Sequence, residues 1–226
     1  MKIHKSHLIA LFCFALTTLH ATETNEIKKT KPAEIKKLTQ HELVQAALDG
    51  KTSPIETALK QGYSVDKPDT EKRTLLMYAA FNGHTNVIQL LITAGANANA
   101  TDKTGSTALM FAASGKNLPA VKLLLKNKAK INTIDSNEHW TPLMWAAAEG
   151  QVDVVNYLLE KGANPLLKDI DGDTAESFAT KKKHYTVVRM IRSHLASKNK
   201  EPEKLVEKSS LFGSKTSIHR NPTPAE

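Results

Sequence analysis

The chain has 226 residues, room for one or two ordinary domains. Hydrophobic residues make up 40% and charged residues 24%, a globular balance, while aromatics at 5% suit a fold of small repeated units better than one large core. The net charge of +8 comes with no RNP-like aromatic and basic pattern, no zinc-finger spacing and no arginine cluster, so it reads as a lysine-rich solvated surface and nucleic acid is not an expected partner.

Residues 1–21 have the three-part layout of a secretory leader. Lys2 and Lys5 form a positive start, residues 8–19 an apolar run, and Ala21 a small residue before polar TETNE. The run is shorter than the roughly 17–25 apolar residues of a membrane span, so no stable membrane insertion is expected once the leader is removed. Export to the periplasm or beyond the cell is the expectation, with cleavage after Ala21. Cys13, the only cysteine, lies inside this segment, so the remainder can form no disulfide. Residues 22–38 are polar and lysine-rich, a linker ahead of the folded part.

From there the sequence repeats. Thr74-Leu-Leu-Met-Tyr-Ala-Ala80, Thr107-Ala-Leu-Met-Phe-Ala-Ala113 and Thr141-Pro-Leu-Met-Trp-Ala-Ala147 stand in phase, followed by a degraded Thr174-Ala-Glu-Ser-Phe-Ala-Thr180. Their first residues are 33, 34 and 33 apart, the extra residue lying between Asp135 and Trp140. Asp69, Asp102, Asp135 and Asp169 each open a unit. Apolar runs follow each heptapeptide, and Gly-Ala-Asn recurs at 95–97 and 162–164.

This pattern resembles the ankyrin repeat over about residues 39–196. The resemblance implies an all-α solenoid of helix-turn-helix units with projecting hairpin-like loops. The expected units are residues 39–68, 69–101, 102–134, 135–168 and 169–196, the first and last being caps. Each unit has a local physical reading. The four threonines are placed to cap a short first helix, and Pro142 stands in a first turn, where its missing N–H does no harm. Gly95 and Gly162 end the longer second helix in the left-handed conformation. No unit buries its apolar face alone, so stacking makes the core.

Some positions depart from the family pattern. Met77, Met110 and Met144 stand where the family carries a histidine that links neighbouring loops, which implies adaptable packing in place of polar registration. Lys72 replaces a loop glycine and Lys128 a helix-ending glycine. The third unit is therefore expected to end its second helix differently, to start that helix at Pro119, and to be the softest internal unit. Tyr78, Phe111, Trp145 and Phe178 form an aromatic stripe at one equivalent position, read as packing between units.

No chemistry shows in the sequence. It has no G-x-S-x-G, no P-loop, no dinucleotide fingerprint and no H-E-x-x-H, and the six histidines beyond residue 21 include no pair at i, i+4. Catalytic residues, cofactors and metal ligands are expected to be absent. The resemblance implies that loop tips and the open side of the first helices bind a protein. The candidates are Arg73, Phe81, Asn82, Lys103, Ser106, Asn137, His139, Trp140 and Glu149, with Trp140 and Arg73 as anchors, since exposed aromatics and arginine dominate interfaces. Residues 197–226 are expected to be a largely disordered tail. The leading reading is a monomeric, exported, non-enzymatic binding scaffold with a periplasmic or host protein as partner. The alternative is an accessory or chaperone-like subunit of an envelope complex.

Overall fold

The computed structural model describes residues 37–210, with side chains through residue 198. The leader at 1–21, the linker over 22–36 and the tail beyond 210 lie outside the described residues. Within them the fold is all-helical. Ten helices form five pairs: α1 (Gln40–Leu48) with α2 (Thr52–Lys60), α3 (Leu75–Asn82) with α4 (Thr85–Thr93), α5 (Ala108–Ser114) with α6 (Leu118–Lys126), α7 (Pro142–Ala148) with α8 (Val152–Glu160), and α9 (Ala175–Lys181) with α10 (Tyr185–Ser210). First helices pack in one row and second helices in another, each against its sequential neighbours.

The heptapeptides build the first row. Thr107, Thr141 and Thr174 lie in extended backbone, and their hydroxyls accept from Met110 N, Met144 N and Ser177 N at 3.4, 3.2 and 3.3 Å. The methionines close the other half of the cap. The backbone N–H groups of Thr74, Thr107 and Thr141 each donate to the sulfur three residues on, at 3.4 Å. These sulfurs therefore supply a local acceptor within their own unit, and the side chains are fully buried. Leu76, Leu109 and Leu143 line up inside the stack at 0–1% exposure. The paired alanines beside them are as buried, which lets neighbouring backbones approach.

The turn between the helices of a pair is tied back to the preceding unit. His84 Nε2 donates to Leu48 O at 2.7 Å, Asn117 Nδ2 to Phe81 O at 2.8 Å, Gln151 Nε2 to Ser114 O at 3.1 Å, and His184 Nε2 to Ala148 O at 3.2 Å. Three kinds of side chain thus satisfy the same orphan carbonyls at a helix C-terminus. A second ladder runs through the loops after the second helices. Asp66 accepts from Asn97 N at 3.0 Å, Asn99 from Lys130 N at 2.7 Å, and Asn132 from Asn164 N at 2.9 Å.

The last heptapeptide is degraded because no further described helix pair stacks on it. Glu176, Ser177 and Thr180 occupy the places that Leu76, Met77 and Ala80 fill in the interior. Glu176 instead accepts from Arg192 Nε at 2.8 Å on α10. Only the inward-facing residues, Phe178 and Ala179 among them, remain apolar and buried.

Three expectations need correction. Lys128 does not end α6 differently: it takes the left-handed conformation itself, φ 65°, as Gly95 and Gly162 do. The departure in the third unit lies at the turn after α5, where Gly115 is extended, φ −96° and ψ 174°. Helix α6 begins at Leu118, one residue before Pro119. The chain beyond 196 is helical to Ser210, in keeping with the Ala, Leu, Lys and Glu content of that stretch.

Candidate functional site

The loops project from the stack on hairpin-like turns, each organised by its aspartate. Asp69 Oδ1 accepts from Glu71 N and Arg73 N at 2.8 Å, Asp102 Oδ1 from Thr104 N and Ser106 N at 2.8 and 2.9 Å, Asp135 Oδ1 from Asn137 N and Glu138 N at 3.1 and 2.8 Å, and Asp169 Oδ1 from Asp171 N and Asp173 N at 3.0 and 2.8 Å. Each of these Oδ1 atoms is thus taken up by two backbone N–H groups of its own loop. Adjacent tips are joined main chain to main chain, Lys103 N to Glu71 O at 2.9 Å, Ser136 N to Thr104 O at 2.9 Å and Ile170 N to Glu138 O at 3.2 Å. Gly105 is required at this seam: its φ is +77°, and a Cβ there would lie 2.5 Å from Ser136 N.

Before two of the threonine caps the preceding residue turns onto the first helix of the next unit. Arg73 is the first instance. Its Nε lies 3.4 Å from Asp102 Oδ2, with 19% and 2% of the two side chains exposed, and its guanidinium is 5.8 Å from the Phe111 centroid. Phe111 meets Phe81 edge to face, centroids 6.4 Å apart. Phe81, Phe111 and Arg73 are half-buried, so each keeps part of its surface open to solvent.

Trp140 is the second instance, and it corrects an expectation. The inserted residue does not push the indole out to a loop tip. His139 takes the left-handed conformation, φ 59°, as Lys72, Gly105 and Gly172 do at the same place in the other loops, and the extra residue is taken up ahead of it, where Asp135 Oδ1 accepts from Asn137 N and Glu138 N. Trp140 then falls in register with Arg73 and folds inward at 7% exposure, 4.3 Å from the Phe178 centroid and 4.9 Å from that of Trp145. Ser106 also lies buried, its hydroxyl 2.9 Å from that of Thr104. Neither is an exposed contact residue.

The other candidates are distributed along the same side. Asn82, Lys103, Asn137 and His139 are exposed, and Glu149 is half-buried at the end of α7. Asn82 Nδ2 is engaged with Leu48 O at 2.8 Å, and Lys103 Nζ lies 3.4 Å from Glu71 Oε1. Reading the aromatic stripe as packing holds for Tyr78, Trp145 and Phe178, all buried, but it missed Phe111, which is half-exposed. Its register with Arg73, one unit on, was the signal available. Tyr78 is held protonated well above the ordinary phenol range, first by burial and then by its hydrogen bond to Asp69 Oδ2 at 2.5 Å. Among the described residues, no cluster of three or more His, Cys, Asp or Glu is placed to hold a metal.

This geometry is that of a stacked helix-pair repeat with a ladder of projecting turns. The family model for ankyrin repeats (3 copies) matches residues 43–135 and 133–202. The chain belongs to the ankyrin-repeat family, whose stacks serve as protein-interaction scaffolds. It is similar to Ankyrin repeat family A protein 2 of Mus musculus and of Homo sapiens, 51% identical over 45 residues, 20% of this chain and 14% of each relative. It is also similar to the Putative E3 ubiquitin-protein ligase XBAT34 of Arabidopsis thaliana, 47% identical over 55 residues, 24% of this chain and 15% of that protein. The chain thus spans about a seventh of the length of these relatives.

Proposed function

We propose that the chain is an exported, non-catalytic binding scaffold that grips a protein partner with the row of first helices and the loop tips. The observation that carries this reading is the cluster of Phe81, Phe111 and Arg73 at the boundary of the second and third pairs. There, two half-exposed aromatic rings on α3 and α5 lie together with the guanidinium of Arg73 from the loop before α3, the side-chain types that dominate interfaces. Lys103 and Glu71 rim the cluster with exposed charge. The polar residues Glu176, Ser177 and Thr180 on α9 support a monomer, since they stand where interior units carry the apolar face that stacks on the next unit. The leader-like residues 1–21 support action outside the cytoplasm, on an envelope or host protein.

The test pairs affinity capture with substitution. Envelope fractions and host lysate are each passed over the immobilised protein, and over a variant carrying Phe81→Ala and Phe111→Ala. A partner retained by the parent and lost by the variant, with the circular-dichroism melt still cooperative, bears the reading out. A partner held equally by both places the grip elsewhere.

A further inference from the structure

A second surface lies away from that cluster, on the loops that follow α6 and α8. Residues 126–134 and 161–168 carry five lysines, Lys126, Lys128, Lys130, Lys161 and Lys168, and no Asp or Glu. All five are exposed, and none is ion-paired with a described residue. The two loops run side by side, joined where Asn164 N donates to Asn132 Oδ1 at 2.9 Å. Among the lysines stand two of the large apolar side chains most open to solvent in the described residues, Ile134 at 46% and Leu166 at 63%. The equivalent loop one unit earlier, residues 93–101, has neither charge nor a large apolar side chain.

Two positions break the local rules of the repeat to make this surface. Leu166 falls where Asp66, Asn99 and Asn132 each accept from the next loop. Among the described residues no further loop pairs with this one, so a polar side chain there would be solvated at no cost. Lys128 falls where Gly95 and Gly162 take the left-handed conformation without penalty, and it holds φ 65° as a lysine. Local rules of this kind are broken at functional or strained sites, and Lys72 and Lys183 hold the same conformation elsewhere, so it is Leu166 that sets this surface apart. The residues project outward from two adjacent turns and line no groove, which suits a flat, deformable surface better than a peptide.

We propose that these two loops seat the protein on an anionic lipid bilayer. Lysines lie against the headgroups, and Leu166 and Ile134 enter the boundary between headgroup and acyl chain. Cationic side chains near an anionic leaflet and a small apolar insertion are the two terms that hold a peripheral protein at a membrane. The first-helix row stays free, so the surface operates independently of the protein-binding cluster.

The experiment is vesicle sedimentation of the chain lacking residues 1–21, whose apolar run would itself partition. Vesicles are of phosphatidylcholine alone or mixed with phosphatidylglycerol. The expected result is binding to the mixed vesicles only, reversed by high salt, and weakened about a hundredfold by Lys128→Glu, Lys130→Glu and Lys168→Glu together. Leu166→Asn is expected to weaken it about fivefold with the salt dependence intact. Lys128→Gly separates charge from folding, since it relaxes the backbone yet is expected to bind less. Equal binding to both vesicles overturns the proposal, as does binding that survives the triple reversal and so belongs to the lysine-rich flanks. So does retention by polyglutamate with no retention by vesicles, which points to an acidic protein segment instead.

Discussion

The indole of Trp140 stacks on Phe178 across the boundary between the fourth and fifth pairs, ring centroids 4.3 Å apart. Truncating it opens a cavity between units. Trp140→Ala is expected to cost about 3 kcal/mol, read as a lower urea midpoint. Because the remaining Trp145 lies 4.9 Å from Trp140, its fluorescence is expected to report that loss directly. An unchanged midpoint would show that the indole contributes contact area but no net packing.

Three lysines hold backbone that favours glycine, Lys72 at φ 58°, Lys128 at φ 65° and Lys183 at φ 61°. Lys128→Gly and Lys183→Gly are each expected to raise stability by about 1 kcal/mol. Gly83→Ala has the opposite sign: φ is +73°, and the new Cβ would meet Asn117 Oδ1 at 2.4 Å. That clash threatens the Asn117 bond to Phe81 O as well, and a loss of about 2 kcal/mol or more follows. Chemical denaturation of the three variants checks both signs.

Asp102 is a buried carboxylate with four donors around it: Thr104 N, Thr104 Oγ1, Ser106 N and Arg73 Nε. Asp102→Ala leaves those donors without their acceptor and is expected to cost about 3 kcal/mol. Arg73→Met removes only one donor and keeps the stem over Phe111, so about 1 kcal/mol is expected. If the two variants melt alike, the ion pair rather than the loop network dominates at this position.

Tyr78 supplies a pH dependence with a definite sign. Burial and the bond to Asp69 raise its pKa above the ordinary 10 in the folded chain. Its contribution is therefore complete below pH 10 and falls as pH rises past the unfolded value, where only the unfolded chain ionises. Tyr78→Phe is expected to cost about 1 kcal/mol at neutral pH. The gap between parent and variant is expected to narrow as pH rises above 10. A gap that stays constant would place the ionisation of Tyr78 at its unfolded value.

The fold was legible because its signals recur. Thr74, Thr107, Thr141 and Thr174 announce the same helix start four times, and the paired alanines announce the close approach that follows. What escaped was conformational detail that letters do not carry. The extra residue before Trp140 looked like a longer tip, because nothing in the sequence says that the loop takes it up ahead of His139 and returns Trp140 to the register of Arg73. Lys128 was read as a different helix ending, although the structure tolerates a strained lysine at the same φ as glycine. Phe111 was grouped with its buried equivalents. Its neighbours across the seam, Phe81 and Arg73, leave its edge uncovered where Trp140 covers Phe178. Register was readable; which face of an equivalent side chain stays wet depends on the neighbour one unit away.

Each interior helix pair meets chiefly the pair before it and the pair after it, through the same kinds of contact on both sides. Duplication or excision of one whole interior unit would therefore rejoin seams of the same kind and leave no core to redesign. Such a chain can change its reach by recombination within its own reading frame, while side chains on the tips diverge one at a time toward new targets.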